Sequence, residues 1–310
     1  MTIRLLTFSH LSLLREHAET SSWDAAVDAL STVTLSFGCH LLQAPALECP
    51  LEALGSNEQQ ERLKAALKDR HVETLLMTAS GDAADAFPPW LQPEGRRLSN
   101  LDELCDVIRS WQSAEDPPEF QWLHVDLTDA ERRRDWIASA LQAVAETVPV
   151  CPDQTVIVTA TGGEHEDSGR FESLLWEECL RVPLWVADPR IEAGQEHRPT
   201  GSYDVLETLL TALGATGEPS LSGQAADLVA ARAAGGDEER LIRVAAEGAE
   251  AVRSSEFLLV RTHSDQAGER LALYGKPHDV WNVHDVSREF PDVTDELLEC
   301  LRVTSSADGG

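Results

Sequence analysis

The sequence predicts an α/β fold, a mostly parallel sheet sandwiched between helices, followed by a small C-terminal α+β subdomain. Two observations predict it. From Ile3 to Leu213, short apolar runs with the length of buried strands alternate with stretches of helical periodicity. After the Gly235-Gly236 pair, the pattern changes to a pair of strands and a closing helix.

Five apolar runs are predicted to form the central sheet. Strands of a parallel sheet are buried on both faces, so they appear as nearly continuous apolar runs rather than as alternating patterns. On the third strand, Trp122 and His124 are two residues apart and share one face. The five predicted strands are residues 3–8, 72–78, 120–127, 155–159 and 182–186.

Apolar residues at helical spacing predict helices between these strands. The longest covers residues 130–147, where Ile137, Leu141 and Val144 form a stripe that faces the core. Trp90 follows two prolines in a loop and could line a cleft. Further predicted helices cover residues 23–30, 57–68, 101–111, 171–180 and 203–213. The tryptophans predicted to belong to the core are Trp122, Trp136, Trp176 and Trp185.

The domain organisation follows from the change of pattern. Residues 1–240 are predicted to form the α/β core domain, and residues 304–310 a disordered tail. Between them, residues 245–303 are predicted to form a subdomain. Its hairpin pairs residues 257–262 with 270–274, and its helix covers residues 292–301.

Composition excludes several classes of function. The chain has 54 acidic and 25 basic residues and a formal net charge of −29, which argues against nucleic acid and anionic membranes as partners. No apolar run approaches the roughly 18 residues that span a bilayer, and the N-terminus does not resemble a signal peptide. The six cysteines are scattered without a CxxC pair, which predicts reduced thiols in a cytoplasmic protein.

Residues 155–213 resemble the second half of a sulfatase domain of the alkaline phosphatase superfamily. Three pieces carry the resemblance, in the order and spacing of that family: TVIVTATGGEHEDSGRF, LLWEECLRVPLWVADPR and YDVLETLLTALG. The segment ERLALYGKPHDVWNVHDVSREFPDVTDELLECL resembles the closing hairpin and helix of the family. The N-terminal half agrees only in the order of its elements. The resemblance implies the fold predicted above and, in intact members, hydrolysis of sulfuric esters with the help of Ca²⁺.

The positions that match the metal site of the family carry other residues. The family binds Ca²⁺ through two adjacent acids after the first strand and through an Asp and its neighbour after a later strand. Here the corresponding positions are Ser9 and His10, then Thr161 and Gly162. Calcium sites need several carboxylate oxygens, so the resemblance implies a remnant site with no metal and no other cofactor.

The nucleophile motif also departs from the family. That motif is Cys or Ser, x, Pro, x, Arg, and its first residue matures to formylglycine. Here Cys49 is followed directly by Pro50, and Glu52 stands near the place of the Arg. We therefore expect Cys49 to remain an ordinary thiol.

Two other groups of charged residues lead to predictions, one about metal binding and one about an ion pair. His165 lies among three acids at positions 164, 166 and 167. Such a group could bind a transition metal, but a solvated acidic loop is favoured. Arg181 is predicted to pair with Glu177, one helical turn earlier.

Two hypotheses about function follow. The first is a non-catalytic, sulfatase-like binding or scaffold protein whose partner is an unknown small molecule or protein. The alternative is a hydrolase of sulfate or phosphate esters with an altered active site. Open α/β sheets bind ligands at the carboxyl ends of their strands. Acids that converge there from elsewhere, such as Asp126 or Asp204, would favour the hydrolase.

Overall fold

The computed structural model describes most of the chain. Within the described residues, one eight-stranded sheet, one two-stranded sheet and one four-stranded sheet are present. The described ranges are residues 2–9, 21–43, 50–78, 87–91, 96–113, 116–126, 130–162, 175–215, 225–235, 239–246, 248–264 and 268–305.

The large sheet contains all five predicted strands. Its strands are β1 (Thr2–Phe8), β2 (Leu35–Phe37), β4 (Val72–Thr78), β5 (Arg96–Leu98), β6 (Phe120–Asp126), β7 (Gln154–Ala160), β8 (Leu184–Ala187) and β9 (Gly194–Glu196). They are ordered β5-β4-β6-β1-β7-β8-β2-β9. A separate short pair joins β3 (His40–Leu41) to β10 (Thr200–Gly201).

The middle of the large sheet is parallel, as predicted. β1 lies between β6 and β7 and is parallel to both, and β4 is parallel to β6. The last residues of these four strands therefore meet at one side of the sheet, which we call the carboxyl edge. β8 is antiparallel to both β7 and β2, so the parallel prediction does not extend to this strand. An apolar run looks the same in either direction, and the sequence pattern does not encode strand direction.

Helices cover both faces of the large sheet. The helices are α1 (Ser21–Val33), α2 (Pro50–Leu54), α3 (Asn57–Leu67), α4 (Leu101–Ser110), α5 (Ala130–Thr147), α6 (Glu177–Leu180), α7 (Ser202–Ala212), α8 (Leu228–Ala234) and α9 (Pro291–Ser305). Two 3₁₀ turns cover Pro89–Leu91 and Val148–Val150.

The alternation of side chains along the strands divides the core into two layers. On one face, α1, α4 and α5 pack against residues such as Leu6 and Val158. On the other face, α3, α7 and α8 pack against residues such as Leu5 and Ile157. Consecutive residues of a strand point to opposite faces, which explains why both layers are apolar and why the strands have no polar side.

The segment before β8 differs from its prediction. A helix was predicted over residues 171–180, but α6 begins only at Glu177, and residues 171–174 lie outside the described part of the chain. Trp176 precedes α6 and is 38% exposed. Its assignment to the core was wrong, because it lies before the helix and not on its buried face. Trp122 and Trp185 are buried as predicted, and Trp136 is partly buried.

The C-terminal sheet is antiparallel. It contains β11 (Ile242–Ala246), β12 (Ala249–Arg253), β13 (Phe257–Ser264) and β14 (Gly268–Gly275) in that order. One face packs on α9, and the other packs on Leu41, Leu175 and Leu180. The predicted hairpin and closing helix are confirmed, although α9 extends into the predicted tail. The domain boundaries themselves stay a prediction. Among the described helices, none is long and apolar enough to cross a membrane.

Candidate functional site

The carboxyl edge brings together residues that are distant in sequence. Ser9 follows β1, and Asp126 is the last residue of β6, its parallel neighbour. The Ser9 hydroxyl donates a hydrogen bond of 2.9 Å to Asp126 Oδ1, and the Ser9 amide donates to the Val125 carbonyl at 3.0 Å. An acid therefore does reach the predicted remnant site, from the strand beside it.

Thr161 lies on the other side of β1. It follows β7, and its amide donates to the Phe8 carbonyl at 2.9 Å. Its hydroxyl points at the same carbonyl oxygen at 3.5 Å, and the residue is 7% exposed. Gly162 follows directly and is half-buried. Thr161 is thus held against the end of β1 by backbone contacts, at the position where the resembling family has an Asp.

A buried hydrogen-bond chain lies within the strands below this edge. The Trp122 indole donates to Thr7 Oγ1 at 2.8 Å, and Thr7 Oγ1 lies 2.8 Å from His124 Nδ1. The indole N–H can only donate, so Thr7 Oγ1 accepts from Trp122, while the direction of its contact with Nδ1 depends on the tautomer of His124. Phe87 packs edge-on against Trp122, with ring centroids 5.0 Å apart.

Thr7 and Phe87 were not predicted to be members of this group. Two signals were available, namely the shared face of Trp122 and His124 and a hydroxyl near the end of the first strand. The pairing itself was not visible, because it joins residues 117 positions apart.

Three of the predicted site residues lie outside the described part of the chain. These are His10, Cys49 and His165. Cys49 directly precedes α2 in sequence. Their predicted roles remain predictions.

Asp204 does not belong to the carboxyl edge. Its side chain is fully buried at the start of α7, where Oδ2 accepts from the Gly201 amide at 2.7 Å and Oδ1 accepts from the Ala226 amide at 2.8 Å. Arg240 donates to both carboxylate oxygens. Asp204 therefore holds the start of α7 in place, and its oxygens are occupied.

A second group of charges lies between α6 and the C-terminal sheet, and we call it the α6 ion cluster. It consists of Glu177, Arg181, Arg253 and Lys276. Glu177 Oε1 lies 3.4 Å from Lys276 Nζ and 3.6 Å from Arg253 Nε, while Oε2 lies 4.0 Å from Arg181 Nη1. The side chains of Glu177, Arg253 and Lys276 are 2%, 4% and 0% exposed.

Burial and charge act in opposite directions on Lys276. Burial lowers the pKa of this lysine, and the neighbouring Glu177 carboxylate opposes that change. Lys276 Nζ also donates to Asn282 Oδ1 at 2.6 Å. The predicted pair between Arg181 and Glu177 is present. The two other cations were not predicted, because Arg253 ends β12 and Lys276 follows β14, and both are distant from Glu177 in sequence.

The donors described at the carboxyl edge do not fit a calcium ion. They are the hydroxyls of Ser9 and Thr161 and the carboxylate of Asp126. Calcium takes about six to eight oxygen ligands, usually with several carboxylates. Nor do three or more His, Cys, Asp or Glu side chains lie together as a metal-binding group anywhere in the described ranges.

The fold is shared with sulfatases of known structure. No family model and no curated protein matches the sequence. The structure of Ps i-CgsB in complex with k-i-k-neocarrahexaose matches 98% of this chain and 92% of its own, with a TM-score of 0.66 and 14% identity. A 2-O GAG sulfatase matches 99% of this chain and 92% of its own, with a TM-score of 0.66 and 12% identity.

A related hydrolase gives the same result. The phosphonate monoester hydrolase of Agrobacterium radiobacter matches 99% of this chain and 95% of its own, with a TM-score of 0.64 and 14% identity. This chain therefore has a sulfatase-like fold, as the three sequence pieces predict.

Proposed function

We propose that the protein is a sulfatase-like relative without the calcium ligands and the formylglycine motif, and that it acts as a non-catalytic binding or scaffold protein. The observation that carries this proposal is that the ends of β1 and β7 provide hydroxyls, those of Ser9 and Thr161, at the positions that the resemblance matches to metal-binding acids. In the resembling family, the end of the first strand provides two acids. In this chain it provides a hydroxyl, which occupies an oxygen of the acid on the neighbouring strand.

The charge of this edge supports the proposal. Sulfate and phosphate esters are anions, and the family binds them with the help of a divalent cation. Asp126 is a carboxylate beside two hydroxyl-bearing residues, Ser9 and Thr161. The hydroxyls of Ser9 and Thr161 are poor ligands for that cation, so this arrangement favours a neutral or cationic ligand, or a protein surface, at the carboxyl edge.

The proposed partner is a small molecule or a protein, and not nucleic acid or an anionic membrane. Ps i-CgsB holds an oligosaccharide on the same fold, and the net charge of −29 disfavours polyanions. We also propose a cytoplasmic location. It is supported by the free thiols of the described cysteines, which are Cys39, Cys105, Cys151, Cys179 and Cys300.

A hydrolase of sulfate or phosphate esters with an altered site is the second candidate. The same 2.9 Å contact favours it, because a serine hydroxyl within hydrogen-bond reach of a carboxylate is an arrangement of nucleophile and base. Under this alternative, Ser9 Oγ would attack the sulfur or phosphorus atom as its bond to the alcohol breaks, and Asp126 would take the serine proton and pass it to the departing alcohol. Water would then release sulfate or phosphate and restore Ser9.

Thermal unfolding with and without Ca²⁺, combined with an activity assay, separates the two. A ligand at about 100 times its dissociation constant adds roughly 2.7 kcal/mol to stability, which raises the midpoint by about 5 °C at roughly 2 °C per kcal/mol. We expect Ca²⁺ to have the same effect as Mg²⁺ at equal ionic strength, and we expect no turnover of 4-nitrophenyl sulfate or 4-nitrophenyl phosphate. Mg²⁺ is the control because any divalent cation screens an acidic surface.

Two results would instead support the hydrolase. A rise of about 5 °C that is specific for Ca²⁺, or turnover that Ser9→Ala abolishes, would contradict the non-catalytic proposal and support the hydrolase.

A further inference from the structure

The chain has only three lysines, and their positions are unusual. They are Lys64, Lys68 and Lys276. Lys276 is buried in the α6 ion cluster. The two others are exposed at the C-terminal end of α3, and both line a single groove of about 660 Å³. A volume of this size is typical of sites for small molecules, which fall in the range of roughly 300 to 1,000 Å³.

The floor of this groove is apolar. Leu67 and Leu91 are buried there, and Val72 and Trp90 are partly buried. Trp90 belongs to the 3₁₀ turn Pro89–Leu91. This turn is held against the sheet by a hydrogen bond of 3.2 Å from the Thr74 hydroxyl to the Leu91 carbonyl. The predicted role of Trp90 as a lining residue is thus supported by its position.

The cations of the groove differ in the hydrogen bonds and ion pairs that they make. Arg70 is fully engaged, since it donates to the Ala66 and Leu213 carbonyls and pairs with Glu119 at 2.8 Å. It fixes the turn between α3 and β4. Lys64 lies 3.6 Å from Glu61 in a pair that is open to solvent.

Lys68 is the least constrained of these cations. Its ammonium group makes no ion pair within the described residues. A lysine is a flexible point charge that can turn toward a ligand. In a chain with 54 acidic residues, an unpaired lysine beside an apolar groove is an unusual local positive charge.

We propose that this groove binds a small organic anion. A flat apolar ring of the ligand packs on Trp90, and its carboxylate, sulfonate or sulfate group is held by Lys64 and Lys68. Both parts of the ligand follow from the lining, because the floor offers apolar and aromatic surface and the rim offers two mobile cations. Two acids also line the rim: Glu61, which pairs with Lys64, and Asp69. Lys68 is therefore the cation that we expect to contribute most.

The groove is separate from the carboxyl edge. It is lined by Val72, the first residue of β4, whereas the edge is formed where β4 ends at Thr78. Six residues of strand place the two about 20 Å apart. Binding in the groove therefore does not depend on the function proposed for the edge.

The test uses isothermal titration calorimetry with naphthalene-2-sulfonate as the probe, on the full-length protein at low ionic strength. We expect saturable binding, a loss of at least tenfold in affinity in the double variant Lys64→Glu, Lys68→Glu, and at least a fivefold loss in Trp90→Ala. Uncharged 2-naphthol should bind at least tenfold more weakly than the sulfonate.

A matched variant controls for net charge. Arg288→Glu with Arg302→Glu changes the charge by the same amount at exposed positions, and Arg302 pairs with Glu299 three residues earlier, as Lys64 does with Glu61. This control should bind the probe within about twofold of the parent. If the double variant with both lysines changed to Glu does not fold, the neutral double variant Lys64→Gln, Lys68→Gln is used in its place. The proposal is overturned if the parent binds no probe at millimolar concentration, or if the control loses as much affinity as the lysine variant.

Discussion

The carboxyl edge and the α6 ion cluster are both polar regions at the ends of strands, but they are stabilised in different ways. At the edge, hydroxyls and backbone carbonyls provide most of the contacts, and Asp126 is the acid that Ser9 contacts. In the α6 ion cluster, three cations surround the carboxylate of Glu177, and three of the four side chains are at most 4% exposed.

The difference distinguishes a region suited to binding, the carboxyl edge, from a region that stabilises the fold, the α6 ion cluster. The charges of the α6 ion cluster connect α6 to the C-terminal sheet. Glu177, Arg253 and Lys276 are buried there, so water cannot replace a lost contact. The edge is where a sulfatase would need charge for its metal and substrate. We therefore expect the protein to depend strongly on the cluster for stability and only weakly on the hydroxyl contacts of the edge.

The largest effect is expected for Glu177→Gln. This change leaves Lys276 and Arg253 buried without their carboxylate, and breaking a buried ion pair costs about 3–5 kcal/mol. Urea unfolding measures the loss. Glu299→Gln is the control, because Glu299 pairs with Arg302 on the exposed side of α9, where a pair contributes about 1 kcal/mol or less. Equal losses in the two variants would contradict the importance assigned to the cluster.

An effect of intermediate size is expected from His40, which should make the free energy of unfolding depend on pH. His40 lies on β3 and is fully buried, and burial lowers its pKa from 6.5 to about 3, with a smaller contribution from Arg240. Below its unfolded pKa, the unfolded chain binds a proton that the folded protein does not. Stability should therefore fall as the pH decreases from about 6.5 toward about 3.

The variant His40→Asn isolates this contribution. Asn can retain the contact with Thr200, which lies 3.0 Å from His40 Nδ1, but it does not titrate. Between pH 7 and pH 5 the parent should lose about 2 kcal/mol more than the variant. The same profile in the parent and in His40→Asn would show that folding does not shift the pKa of His40.

The smallest effect is expected for Ser9→Ala. The lost hydrogen bond to Asp126 is partly buried, and such bonds contribute about 0.5–1.5 kcal/mol. Ser36→Ala is a matched control, because the Ser36 hydroxyl also makes one partly buried hydrogen bond, to the Gly194 carbonyl at 3.1 Å. Thermal unfolding compares the two. A gain in stability for Ser9→Ala alone would indicate that the edge is held in a functional, destabilised arrangement, and it would favour the hydrolase.

Much of the fold was predictable because it depends on local patterns. Apolar runs predict the strands of the sheet, and spacing of three and four residues predicts α5, whose observed bounds agree with the prediction. The pair between Glu177 and Arg181 was also predictable, since it spans one turn. The contact of Ser9 with Asp126 was foreseen only as an alternative, because it requires knowing which strands are neighbours.

The remaining features depend on tertiary structure. The direction of β8 is absent from its composition, and the exposure of Trp176 depends on where α6 begins. Lys276 and Arg253 reach Glu177 from the C-terminal sheet, and Arg240 reaches Asp204 from before β11. Their charges do not identify their partners in a chain with so many acids.

The central position of β1 has a consequence for synthesis of the protein. β1 leaves the ribosome well before both of its neighbours in the sheet, which are Phe120–Asp126 and Gln154–Ala160. At about 5–20 residues per second, the strand waits on the order of 10 s for both partners. During that time Ile3, Leu5, Leu6 and Phe8, all buried in the finished protein, are exposed on the nascent chain. The same strand that forms the centre of the sheet is therefore prone to aggregate during synthesis, and we expect nascent chains that end before about residue 160 to need chaperones most.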